Sequence, residues 1–297
     1  MFVLRPVLPH DILRMVFEEA ASQDRKTALK LAVVSRLAQH WIELILYSSV
    51  NLHRETTCRA FLRTIETSRM KPRSFFATHV KSLCISYDFY DSRTARIITA
   101  CQGVTTLTFW VIPTSWPSTI CRPPHEITEA LGPLRPKKLS VLLHGLLCSP
   151  YPRFNTPFFE RITHLSVING WEDWSTWWGF DLLPCLTHLS FELRVGPRCL
   201  EEKTAFVISR VVQNILARCT HLRVCVLLLI FDSSPTSTVV TVSSAMSTQD
   251  PRLVFMRDSE PFLDREAHSV READIWKRAE RTVAQQKSDA GYIILEI

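Results

Sequence analysis

Residues 162–167 read Ile-Thr-His-Leu-Ser-Val, and residues 186–191 read Leu-Thr-His-Leu-Ser-Phe. In both, a leucine is followed two positions on by another apolar residue, the alternation of a strand with one buried face. The same pattern stands at Val80-Lys81-Ser82-Leu83-Cys84-Ile85, Val104-Thr105-Thr106-Leu107-Thr108-Phe109 and Lys137-Lys138-Leu139-Ser140-Val141. Further copies read Thr220-His221-Leu222-Arg223-Val224 and Pro251-Arg252-Leu253-Val254-Phe255. Their central leucines lie about 24 to 33 residues apart, close to the period of a leucine-rich repeat with insertions.

Helical patterns fill several of the gaps. Ala95, Ile97, Ile98 and Cys101 fall together, Ile127 to Leu131 makes a short turn, and in Thr204 to Cys219 the spacing puts Phe206, Val207, Val211, Ile215 and Leu216 on one side. Strand, loop, helix, strand is the unit of a curved parallel α/β array whose units bury their faces only against neighbours. The repeats lack an asparagine ladder, so the expected class is an irregular, leucine-rich-repeat-like α/β solenoid. A plain α/β sheet domain is the other architecture that fits.

Upstream lies a unit of a different kind, Leu8 to Leu52, reading LPHDILRMVFEEAASQDRKTALKLAVVSRLAQHWIELILYSSVNL. Pro9 suits a first helical turn and Asp11 places negative charge near a helix N-terminus. Ile12, Leu13, Val16, Phe17 and Ala20 then form one stripe. Asp24 and Thr27 are candidate caps for a second helix, in which Ala28, Leu29, Leu31, Ala32, Val33 and Val34 are apolar nearly all round. A third pattern carries Leu37, Ala38, Trp41, Ile42, Ile45, Leu46 and Tyr47 before the chain extends at Val50 and Leu52. So small a unit cannot cover this many large apolar side chains alone. It leans on another protein, on the rest of the chain, or on both.

The ordered set Leu8-Pro9, Asp11 to Leu13, Val16-Phe17, Leu31, Val34-Ser35-Arg36, Trp41, Leu46-Tyr47 and Val50-Asn51-Leu52 resembles an F-box. The form is similar to that of F-box-type proteins abundant in mushroom-forming fungi, and covers about the first sixth of the chain. The resemblance implies docking on the Skp1 adaptor of a cullin–RING (SCF-type) ubiquitin ligase. By the same resemblance Leu8, Pro9, Ile12, Leu13, Val16, Phe17, Leu31, Val34, Trp41, Leu46 and Tyr47 make that contact, and the repeat region holds a protein substrate. The competing reading makes the stripe ordinary core, so that the helices only cap the array of an interaction scaffold with no ligase role. The expected division is an F-box-like helical domain over 1–52, a helical linker over 53–79, repeats over 80–259 and a C-terminal cap over 260–297.

Trp171, Trp174, Trp177 and Trp178 are half of the chain's eight tryptophans. As an exposed loop they would be a candidate substrate-recognition surface. Folded back, Trp174, Trp177 and Trp178 would be a lid, which is favoured because four open indoles invite aggregation. Ser233 to Gln249 reads as a solvated loop and Pro113 to Pro136 as an ordered crossing between repeats. Near the C-terminus Val270, Ala273, Trp276, Ala279 and Val283 share a helical face, and Tyr292 to Ile297 reads as a short strand. Together these are expected to cap the last repeat, as solenoids require.

Composition narrows the function. With 46% hydrophobic and 22% charged residues the chain is globular rather than disordered. The longest apolar run, Val224 to Phe231, is too short to span a membrane. Arg5, Pro6, His10 and Asp11 interrupt the first residues, so no secretory signal is expected. The net charge of +6 is spread without a Lys/Arg cluster, against nucleic-acid binding. Nine cysteines with no CxxC pair read as reduced, mostly buried thiols of a cytoplasmic or nuclear protein. No GxGxxG, P-loop, GxSxG or HExxH motif occurs, so no catalytic residue, cofactor or metal is expected. His164, His188 and His221 stand just before repeat leucines, which points to repeat geometry rather than to a metal site.

Overall fold

The computed structural model describes residues 8–68, 70–86, 92–110, 125–143, 152–195, 202–231, 250–258, 268–289 and 294–296. The Ser/Thr-rich stretch 233–249, the first part of the proline run (113–124) and the side chains of Val270 and Ala273 lie outside the described residues. Three helices open the chain: α1 (His10–Gln23), α2 (Arg25–Leu31) and α3 (Arg36–Ser48). α3 runs directly into β1 (Ser49–Leu52), the first strand of a nine-stranded sheet. The others are β2 (Ser82–Ile85), β3 (Thr106–Phe109), β4 (Lys138–Val141), β5 (His164–Val167), β6 (His188–Val195), β7 (Val224–Phe231), β8 (Leu253–Asp258) and β9 (Ile294–Glu296). They lie in chain order, every neighbouring pair is parallel, and the sheet is open.

The register shows what the repeated motif does. Val50, Leu83, Leu107, Leu139, Leu165, Leu189, Cys225 and Leu253 form one row across eight strands. Leu52, Ile85, Phe109, Val141, Val167, Phe191, Leu227 and Phe255 form the next. Both rows are buried in the main core. A threonine just before the strand ties copy to copy. Thr105 Oγ1 donates to the Lys81 carbonyl at 3.2 Å, and the Thr163 and Thr187 hydroxyls stand in the same place, 3.0 Å from the Lys137 carbonyl and 3.1 Å from the Thr163 carbonyl.

One copy was misaligned by its sequence. Leu222 lies ahead of β7, where Arg223 donates its N–H to the Thr187 carbonyl at 2.8 Å, and Cys225 takes the place of the repeat leucine beside Leu189. His221 is therefore out of line with His164 and His188, which do sit side by side. A buried Leu222 occupies the place of Leu186 instead.

The main core is closed on one side of the sheet by α4 (Glu55–Thr67), α5 (Arg73–His79), α6 (Ser92–Ala100), α7 (His125–Leu131), α8 (Trp171–Trp174) and α9 (Glu202–Arg218). Parallel strands need crossovers of this kind. The expected linker 53–79 is α4 and α5, and it supplies Cys58, Phe61, Leu62 and Phe76 to that core. On α9 the inward residues are Ala205, Ile208, Val212, Ile215 and Leu216, while Phe206 and Val207 point outward. The sequence reading had placed those two on the buried side.

The C-terminal helix α10 (His268–Asp289) packs on the last repeat strand and on the one before it. Its Trp276, Ala279 and Val283 pack on Val224, Val226 and Leu228 of β7 and on Val254 and Met256 of β8. Those strand residues alternate with the main-core rows, so α10 covers the second face of the sheet rather than its end. The reason is local: β7 reads VCVLLLIF, apolar on both faces, and requires a layer on each. β9 pairs with β8 and forms the end.

Candidate docking surface

α1, α2 and α3 fold around a small interior of Ala21, Ala28 and Ile42, with Phe17, Leu31, Ala32, Ile45 and Leu46 packed on it. The ends are set by two caps. Asp24 accepts from the N–H groups of Lys26 at 3.1 Å and Thr27 at 2.8 Å. Ser35 Oγ accepts from Ala38 N–H at 3.1 Å, breaking α2 from α3. The Thr27 hydroxyl also donates to Asp24 at 2.8 Å, so Thr27 supports the cap and Asp24 is the cap. That hydroxyl, followed by the Thr27 and Lys26 N–H groups, holds the Asp24 carboxyl below its ordinary value.

Around this filled interior, large apolar side chains stand open. Leu8, Ile12, Met15 and Val16 form an exposed stripe along α1, and Leu29, Val33, Val34 and Leu37 form a second across the end of α2 and the start of α3. Val33 is 84% exposed. The structure thus divides the expected contact residues. Leu8, Pro9, Ile12, Val16 and Val34 face solvent, and Leu13 is half-buried. Phe17, Leu31 and Leu46 serve the small interior. Trp41 is buried, edge-on to Phe17 at 6.4 Å.

Tyr47 belongs to the sheet side, against Phe61, Phe75 and Phe76. Lys71 Nζ lies 5.3 Å from the centre of the Tyr47 ring and 3.0 Å from Glu43 Oε1. This half-buried pair and the α3–β1 continuity seat the unit firmly on the sheet. Exposed Met15, Leu29, Val33 and Leu37 were not among the contact residues read from sequence. Their signal was legible at Leu29 and Val33, one helical turn apart and off the Ala28–Leu31–Ala32 side.

The four tryptophans do not form an exposed loop. Trp174 is buried, stacked on Phe191 at 4.5 Å, with its indole N–H donating to the Glu192 carbonyl at 3.2 Å. Trp177 is buried too, and Trp171 packs on the main core. Core packing thus takes up Trp174 and Trp177 and part of Trp171. Trp178 alone is open, 69% exposed. It lines a groove with Val211 and Asn214, which also line the neighbouring groove beside exposed Phe206 and Val207.

Elsewhere the described chemistry is sparse. Burial pushes the thiols of Cys101 and Cys225 up to about 12 and that of Cys219 up to about 11, so none is a thiolate at neutral pH. Among the described residues no three His, Cys, Asp or Glu side chains are grouped to hold a metal ion, and no helix is long and apolar enough to cross a membrane. A wide groove of about 1060 Å³ runs between α4, α6 and α7, lined by Leu62, Ile65, Ala95 and Ala130 and crossed by the Glu66–Arg96 ion pair. Set against family models, curated proteins and solved structures, the chain matches none.

Proposed function

We propose that this chain is a non-catalytic substrate-recognition subunit of an SCF-type ubiquitin ligase, in which α1–α3 act as an F-box-like unit on a Skp1-type adaptor and, through it, a cullin. The sheet and its helices are then an irregular leucine-rich-repeat-like solenoid that presents a protein substrate, in a cytoplasmic or nuclear setting that suits thiols which, among the described residues, are mostly buried. One observation carries the reading. Eight large apolar side chains stand open on a three-helix unit whose interior is already filled. Scattered exposed apolar residues need no explanation, but a concentration of this kind marks an interaction surface. Full burial of such side chains is worth about 1.5–3 kcal/mol each before association costs.

The alternative, a scaffold whose helices only cap the sheet, draws on Tyr47 and its neighbours, which do face inward. Co-purification of the full chain with a Skp1-type adaptor separates the two. A stoichiometric complex supports the adaptor reading. No complex, with the chain folded, refutes it.

A further inference from the structure

The second face of the sheet carries a cluster that neither the repeat nor the docking unit uses. His164 of β5 and His188 of β6 are register partners, and their rings stack at 4.1 Å between centres with 2° between planes. Each Nδ1 lies beside the hydroxyl of the preceding threonine, Thr163 at 2.9 Å and Thr187 at 2.8 Å. Trp276 of α10 meets both rings edge-on at 5.5 Å, and Glu280 Oε1, one helical turn on, lies 3.1 Å from His188 Nε2. His188 is 5% exposed, whereas the Glu280 side chain is 56% exposed.

We propose that α10 is an acid-released latch, held over β5–β8 while His188, stacked on His164, is neutral and freed when His188 takes up a proton. The charges around the pair set the direction. Glu280 on α10 is the carboxylate that faces His188, and Lys138 of β4 and Arg223 before β7 oppose any added positive charge. Burial, the largest influence, holds His188 below the ordinary imidazole value of 6.5; Glu280 pulls the other way, and Arg223 and Lys138 add to the depression.

A histidine that binds its proton more weakly docked than released makes release take up that proton. Docking is therefore at full strength above pH 6.5 and is lost as pH falls through the lower docked value.

The helix meets the sheet through contacts of its own. Its apolar seam (Trp276, Ala279 and Val283 on β7 and β8) is a core separate from the main one. At its far end the Gln286 amide, oriented to donate, bonds the Pro251 carbonyl at 2.9 Å and the Leu253 carbonyl at 3.3 Å. The buried Trp276 indole N–H has no partner among the described residues, a cost that release removes. Release opens Val224, Val226, Leu228, Val254 and Met256, an apolar strip on the second face.

Amide-exchange protection factors of the full chain at pH 7.5 and 5.5 test this. Protection over 274–289 is expected to fall by up to about tenfold per pH unit for each proton taken up, while β3 and β4 keep theirs. The double variant His164→Asn, His188→Gln, which cannot titrate there, is expected to hold the change over 274–289 within about twofold. Glu280→Gln, a surface change, removes the facing carboxylate and is expected to move release to higher pH. The proposal is overturned by equal protection at both pH values in the parent, by an undiminished fall in the double variant, by an unmoved release in Glu280→Gln, or by loss of protection in β3 and β4 together with α10.

Discussion

Replacing Val16 and Val34 together by aspartate separates docking from packing. Val16 is 55% and Val34 63% exposed, so neither contributes much to folding, and surface changes of this sort are usually within about 0.5 kcal/mol. In a complex that buries both, scaling full valine burial by these exposures gives about 1–2 kcal/mol per side chain, or about 2–4 kcal/mol together. That corresponds to a Kd weakened roughly 30- to 900-fold, before the further cost of burying unpaired carboxylates. Trp41→Ala is the opposite control. It empties a buried site beside Phe17 and is expected to destabilise the chain by about 3–5 kcal/mol. The assays are urea denaturation of each variant and titration of each against a Skp1-type adaptor by calorimetry. The reasoning fails if the double aspartate variant loses more than about 2 kcal/mol of stability, or if it is stable and still binds the adaptor at parental affinity.

Three further outcomes follow from the packing. A Cβ at Gly103 would stand 1.9 Å from the Ala77 carbonyl oxygen. Gly103→Ala therefore forces the backbone of α5 away from the turn before β3 and is expected to cost about 1–3 kcal/mol in urea denaturation. Trp174→Ala is expected to cost about 3–5 kcal/mol, whereas Trp178→Ser changes the midpoint little; the reverse order would show that the loop is not packed as described. Arg252 reaches back from the start of β8 to the carbonyls of Leu216 at 2.7 Å, Cys219 at 3.3 Å and Leu222 at 3.4 Å, and pairs with Asp250 at 2.6 Å. Arg252→Met leaves the end of α9 without those donors, at about 1–3 kcal/mol. The Arg252 side chain holds the Asp250 carboxyl below its ordinary 3.8. The pair's contribution is accordingly present above that value and lost as pH falls through the lower folded one, so difference melts of parent against variant should be flat between pH 5 and 8.

Much of the strand layout was legible because a parallel strand with one face in the core must alternate, and Leu-x-apolar does so in β2 to β6 and in β8. The copy at 220–224 was misread because β7 is apolar on both faces, which erases the alternation that marks register. The same two-faced strand decides where α10 lies. Its stripe of Trp276, Ala279 and Val283 was visible, but a stripe does not say which surface it meets. On α9 an outward Phe206 and Val207 look no different in sequence from the inward Ile208 and Val212. At the docking surface the surplus of apolar residues was legible and its division was not.

The sequence by itself determined that the chain alternates strands with helices, that its first part carries more apolar side chains than a small unit can bury, and that its cysteines sit in no paired spacing. Those properties reside in periodicity and composition, which are local. Only the tertiary structure decided that Trp41 and Tyr47 pack inward while Ile12, Val16, Val33 and Val34 stay open, that three of four clustered tryptophans serve the core, and that His164 and His188 stack beneath Trp276. Each of these depends on which surface lies opposite a given side chain. That is set by elements far away in the chain: β1 drawing α3 onto the sheet, and a doubly apolar β7 drawing α10 across its second face.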